Sequence, residues 1–285
     1  MVLLSVLIVL GLIQLWGSGA PLHHDLWFQR WVIFLRSGQL AATPGAVLVI
    51  ALSVPLLALI FLLHIVTSTQ AWLSLFVSVP VLLYCLGRGE YSSAVQAYLL
   101  AWSGRDWPAA VAAARELGAA IDSDYMADNT PQHWPDLHRR MLSASGYRGF
   151  ERMFAVLFWF VLLGPAGALL YRLSALYTEW AKDQNDGVVA ERWLWLLEWP
   201  AVRILGISFA LTGNFVGCFQ QWRDFLICTE SSSATVLMYA VRGALSLGER
   251  VSLEVSDNEL RALQSLLSRT LLLWVCLLAI FTLFM

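Results

Sequence analysis

The residues with most capacity for chemistry in this chain are five charges at the edges of apolar runs: Glu151, Arg152, Arg172, Glu198 and Arg203. Charges in such places are costly unless paired or wetted. Paired, they would build a polar site at membrane depth; unpaired, they snorkel to the interface. Glu198 and Arg203 stand five residues apart across Pro200, which leaves open whether they share a helical face. Tyr171 precedes Arg172 and carries the one hydroxyl of the apolar run 153–171. Asp122, Asp124 and Asp128 begin like a calcium loop, but the turn glycine is absent and position twelve is His133 instead of Glu. His23 and His24 are adjacent, and neighbours on a helix point apart. His64 lies inside an apolar run and reads as a group hydrogen-bonded between helices. The phosphate-binding GxxxxGK[ST] and GxGxxG patterns, GxSxG and HExxH are all missing. The sequence therefore predicts no catalytic set, no metal site and no identifiable cofactor.

The elements that would position these charges are membrane helices. The chain has 285 residues, 59% hydrophobic and 13% charged, with 14 Trp and 14 Phe. A soluble domain carries about 25% charged residues. The net charge of −2 gives no basic surface for nucleic acid. Cys85, Cys218, Cys228 and Cys276 show no CxxC spacing, so neither a disulfide framework nor a zinc site is favoured. The expected fold is all-α, a polytopic membrane protein with a small helical cytoplasmic module between spans.

Four segments follow along the chain. Residues 1–87 hold an apolar N-terminal stretch, an amphipathic helix with Leu26, Trp27, Trp31, Phe34 and Leu35 on one face, and a span hairpin over 44–66 and 72–86. Residues 88–152 form the cytoplasmic module, with seven Arg against eight acids. There Asp106 is placed to cap a helix that has Pro108 in its first turn and Gly118 after its end, and Pro135 starts another that stops near Gly146. Residues 153–219 hold the central span, a Trp-rich acidic external loop over 177–199, and a weak span over 200–219 interrupted by Arg203 and Asn214. Residues 220–285 hold a helix over 233–247, a capping box at Ser256–Glu259 and a C-terminal span. The central span is aromatic first and small afterwards, with Gly164, Pro165, Ala166, Gly167 and Ala168 in a row. It reads either as an ordinary Pro-kinked span or as a waist where another helix approaches closely. Arg30 and Arg36 flank one loop and the module's arginines another; with two spans between, both fall on the cytoplasmic side and 177–199 outside.

Ala97-Tyr98-Leu99 with Arg105-Asp106, Leu157-Phe158-Trp159 with Gly164-Pro165, and Glu198-Trp199-Pro200 with Arg203 resemble the AmpE family over nearly the whole chain. That resemblance implies a multi-pass protein of the bacterial inner membrane that modulates β-lactamase induction in response to cell-wall status, with protein partners in cell-wall recycling or β-lactamase signalling beside the lipid bilayer. The aromatic-Gly-Pro span with Tyr171-Arg172, and Arg203, are also similar to the CobD/CbiB proteins of cobalamin biosynthesis, which use ATP to join a corrinoid acid to an amino-alcohol phosphate. Three polar patches of those enzymes are replaced here, at Ser143–Gly149, at Ser174–Tyr177 and at Trp193-Leu194. A ligase handling ATP needs carboxylates to hold Mg²⁺. The resemblance thus implies the scaffold without that activity, with a CobD/CbiB-like enzyme of altered substrate and a lipid- or solute-handling protein as alternatives. Glu151, Arg152, Gly164, Pro165, Gly167, Tyr171, Arg172, Glu198 and Arg203 are the expected polar and packing site.

Overall fold

The computed structural model describes residues 1–16, 25–37, 45–86, 90–121, 133–182, 184–226, 228–247 and 258–284. His23–His24, the acidic positions Asp122 to Asp128, and Ser256-Asp257 of the capping box lie outside the described residues. The described chain is helical, with no strand among the described residues. In order the helices are α1 (Val2–Trp16), α2 (Leu26–Arg36), α3 (Ala46–Thr69), α4 (Ser74–Cys85), α5 (Glu90–Ser103), α6 (Trp107–Glu116), α7 (Trp134–Gly149), α8 (Ala155–Ala181), α9 (Gly187–Thr212), α10 (Phe215–Trp222), α11 (Ser233–Ala244) and α12 (Asn258–Phe284). Ala46–Ser68, Trp134–Ala181, Gly187–Thr212 and Asn258–Phe284 are long and apolar enough to cross a bilayer. The protein is an all-α, multi-pass membrane protein.

The chain divides into two compact units, one of residues 1–88 and 152–201, the other of 89–151 and 202–285. In the first unit α8 is the common surface: α4, α3, α2 and α1 all pack against it. The face of α2 that packs inward is Phe28, Val32 and Leu35, while Leu26, Trp27 and Phe34 of the expected apolar face are exposed. In hydrocarbon an outward aromatic face costs nothing, so hydrophobicity does not mark the buried side.

In the second unit the module's helices start as their caps dictate. Asp106 Oδ1 accepts from Ala109 N at 3.1 Å and opens α6, which ends before Gly118 at φ +82°. Ser232 caps α11 in the same way, accepting from Thr235 N at 3.2 Å. α7 begins at Trp134 as Pro135 requires, but continues to Gly149 and into a π turn at Phe150–Phe154. Gly146 does not stop it, because nothing crowds that position and its φ is helical.

Two expected segments take a more specific form. α4 has 12 residues, ~18 Å at 1.5 Å per residue, and continues directly from a 3-10 turn at Ala71–Leu73. The Trp-rich segment is not a loop: α8 runs to Ala181, a turn at 184–186 leads into α9, and α9 carries Trp193, Trp195 and Trp199 within a 26-residue helix. Asn214 then ends that helix region by capping α10, accepting from Gly217 N at 3.0 Å.

Candidate functional site

The first unit's site is built on the α8–α9 hairpin. Four side-chain bonds tie the two helices in antiparallel register. Tyr177 OH donates to Asp186 Oδ2 at 3.2 Å, and Thr178 Oγ1 to the Ala190 carbonyl at 3.2 Å. Trp193 Nε1 donates to Ser174 Oγ at 3.0 Å, and Tyr171 OH to Glu198 Oε1 at 3.1 Å. Tyr171 is fully buried and Glu198 nearly so. Each bond satisfies groups that hydrocarbon would leave unpaired.

A fifth bond breaks the register. Trp159 Nε1 donates to the Leu197 carbonyl at 3.2 Å, next to the carboxylate that Tyr171 reaches. On a straight helix Trp159 and Tyr171 would lie ~18 Å apart along the axis. Gly164 brings them together: its backbone stands at φ +66°, ψ −156°, a conformation that essentially only glycine adopts. Pro165 follows, without an N–H to continue the helical ladder. The turn is so tight that a Cβ on Gly167 would sit 2.4 Å from the Trp159 carbonyl. The Gly164–Gly167 stretch is therefore a fold within one helix, and a Cβ at Gly164 meets nothing within 4 Å. Close approach between helices occurs in the second unit, where a Cβ on Gly243 would meet Cys218 Cα at 2.5 Å.

Arg172, one residue on, faces a different element. Its Nη2 donates to Asp25 Oδ2 at 3.2 Å, and the two side chains are 10% and 12% exposed. Asp25 holds the N-cap position of α2 but makes no side-chain cap bond. Its other oxygen accepts from Tyr84 OH at 3.2 Å, and Tyr84 OH in turn accepts from Trp27 Nε1 at 3.1 Å. Arg172 Nε is buried without a hydrogen-bond partner among the described residues. At the end of the hairpin Arg36 donates to Asp186 Oδ2 at 2.7 Å and Gln184 Oε1 at 2.6 Å, and stacks over Trp180 at 4.8 Å. This contact overturns the topology expected from arginine placement. Arg36 and Asp186 are in contact and share one side, whereas the expected topology put them on opposite sides.

Of the remaining expected site residues, Arg152 lies half-buried on the π turn. In the second unit Glu151 accepts from Arg148 Nη1 at 2.7 Å, and Arg148 Nε donates to the Leu117 carbonyl at 3.0 Å, which ties α7 to the end of α6. Arg203 donates to the carbonyls of Cys228 at 2.6 Å, Leu226 at 3.3 Å and Phe225 at 3.4 Å. Both charges hold backbone ends in place. The sequence reading missed Asp25, Tyr84, Arg36 and Asp186; a lone acid before an amphipathic helix reads as a cap, and that was the one available signal. It also missed His138, buried, with Nδ1 3.3 Å from Tyr98 OH and Nε2 3.3 Å from Glu259.

Fold and site together define a multi-pass membrane protein in which Arg172, Glu198 and Glu151 engage other side chains and Arg203 engages backbone carbonyls. The family described as "Regulatory signalling modulator protein AmpE" matches residues 1–285, and the chain belongs to that family. It is also similar to the cobalamin biosynthesis protein CobD of Stutzerimonas stutzeri, 34% identical over 104 residues, which are 35% of this chain and 34% of that protein. The corresponding protein of Chromobacterium violaceum is 32% identical over 104 residues, 35% of this chain and 33% of its own. The chain thus aligns with about a third of the length of these relatives. No solved structure matches it.

Proposed function

We propose that the protein is an inner-membrane regulator that couples cell-wall status to β-lactamase induction through protein partners, without turnover of its own. The observation that carries this reading is the family match over the whole chain. The site geometry agrees with it: Tyr171, Arg172 and Arg203 each engage another part of the protein, as groups that fix a scaffold do. The module over 88–152 is the segment proposed to meet those partners. The test is β-lactamase induction in a host lacking its own copy, complemented with wild type or with Arg172→Met at matched membrane levels. Wild type restores the induction profile. An unchanged profile with and without the wild-type gene removes the reading, and ATP turnover by the purified protein with Mg²⁺, lost in Arg172→Met, replaces it with a ligase of the CobD kind.

A further inference from the structure

α2 and α3 pack side by side in the first unit and leave between them a groove of about 500 Å³. Its walls are Trp27, Arg30 and Trp31 of α2 and Val54, Pro55 and Ala58 of α3. That volume lies within the ~300–1,000 Å³ of sites that bury a small ligand. The lining is apolar except at Arg30. Arg36 and Arg172 are ion-paired, while Arg30 has no ion-pair partner among the described residues. Beside it the Trp31 indole Nε1 is buried with no hydrogen-bond acceptor among the described residues. The exposed, unpaired cation favours an anionic acceptor supplied from outside the chain.

The depth of these groups identifies the acceptor. Arg36 meets Gln184 and Asp186 in the polar turn at 184–186, and α3 starts at the same end, where a Cβ on Gly45 would touch Val189 at 3.5 Å. Arg30 lies six residues from Arg36, ~9 Å along the helix and within snorkelling reach of the headgroup level. Val54 to Ala58 lie eight to twelve residues from Ala46, ~12–18 Å deeper along α3, at acyl-chain level. A cation within reach of the headgroup level and an apolar channel below it match one molecule from end to end.

We propose that this groove is a binding site for one anionic glycerophospholipid, with its phosphate on Arg30 and one acyl chain along Val54, Pro55 and Ala58. The charge-assisted contact selects anionic over zwitterionic headgroups, and the groove itself selects a chain of any headgroup. One wall residue, Trp27, also donates to Tyr84, which holds Asp25.

The test is native mass spectrometry of the full chain, released from detergent after incubation with phosphatidylglycerol or phosphatidylcholine, with thermal unfolding as a check on folding. Wild type retains one phosphatidylglycerol in preference to phosphatidylcholine. Arg30→Gln lowers phosphatidylglycerol retention at least about tenfold, and Arg30→Lys keeps most of it. Ala58→Phe, an apolar filler that leaves the fold intact, lowers retention of both lipids. Arg192→Gln, an exposed arginine on α9, changes neither. Undiminished retention in Arg30→Gln or in folded Ala58→Phe overturns the site, as does an equal loss in Arg192→Gln, which would mean diffuse attraction to basic residues.

Discussion

The pair formed by Asp25 and Arg172 is the most informative target for perturbation. At 3.2 Å, and with an effective dielectric constant of ~20, the two charges attract by about 5 kcal/mol, much of which desolvation offsets. Removing one partner is different, because the other charge then stays nine-tenths buried without its counter-ion. Arg172→Met, which keeps the volume, is expected to cost about 3–5 kcal/mol. Asp25→Asn retains an acceptor for Tyr84 and is expected to cost about 2–3 kcal/mol, the value for a charged hydrogen bond and a stranded cation. In the double variant neither charge is stranded, so its cost should fall well below the sum, with a coupling of at least about 2 kcal/mol. The assay is denaturant unfolding of the full chain in mixed micelles, in the four members of the cycle. Additivity within about 0.5 kcal/mol would show that the pair contributes no mutual energy and would refute the reasoning.

The other expected outcomes are these. Tyr171→Phe removes a buried bond to a carboxylate and should cost about 1.5–3 kcal/mol, with Glu198→Gln costing less than Glu198→Ala, all read by the same unfolding assay. Gly164→Ala should cost about 1–3 kcal/mol through its backbone conformation, Gly167→Ala should destabilise through its 2.4 Å clash, and Leu163→Ala, on an exposed position, should cost least; equal melting temperatures would count against the break. Ser37→Cys and Asn185→Cys should be labelled by an impermeant maleimide from the same side of sealed vesicles, and labelling from opposite sides would exclude the Arg36–Asp186 contact. Tyr91 has a buried hydroxyl with no partner among the described residues, and burial pushes its phenol up to about 12. Its raised value means the neutral form is favoured on folding, so that contribution is present below pH ~10 and lost as pH rises through about 12. Tyr91→Phe should therefore be neutral or stabilising by up to about 1 kcal/mol, and should flatten the loss of stability at high pH.

Much of the fold is legible in local chemistry. Asp106, Pro108 and Gly118 delimit α6 because capping, a missing N–H and a positive φ are decided by a few adjacent residues. The long apolar runs announce membrane helices for the same reason. Three things are not local. The inward face of α2 is hidden because lipid accepts apolar side chains as readily as the protein interior does. The side of the acidic turn is set by the contact of Asp186 with the distant Arg36. Gly164-Pro165 signals a break, but its direction is set by one left-handed residue and by the distant Leu197 carbonyl that Trp159 finds. Within the site, Tyr171, Arg172 and Glu198 were visible as polar groups in apolar surroundings. Asp25 was not, because its position before α2 fits a cap it does not make.

The position of the Arg172–Asp25 pair also has an electrical consequence. Arg172 lies nine residues from the end of α8, ~14 Å along a candidate span, where part of the transmembrane voltage drops. A single charge crossing the whole field gains about 2.3 kcal/mol per 100 mV. Two opposite charges held 3.2 Å apart move as a neutral body, so displacement of α2 with α8 does no net work against that field. The scaffold is in this respect blind to the energised state of the membrane, whereas Asp25→Asn, by unmasking one charge at that depth, would make the same motion responsive to voltage.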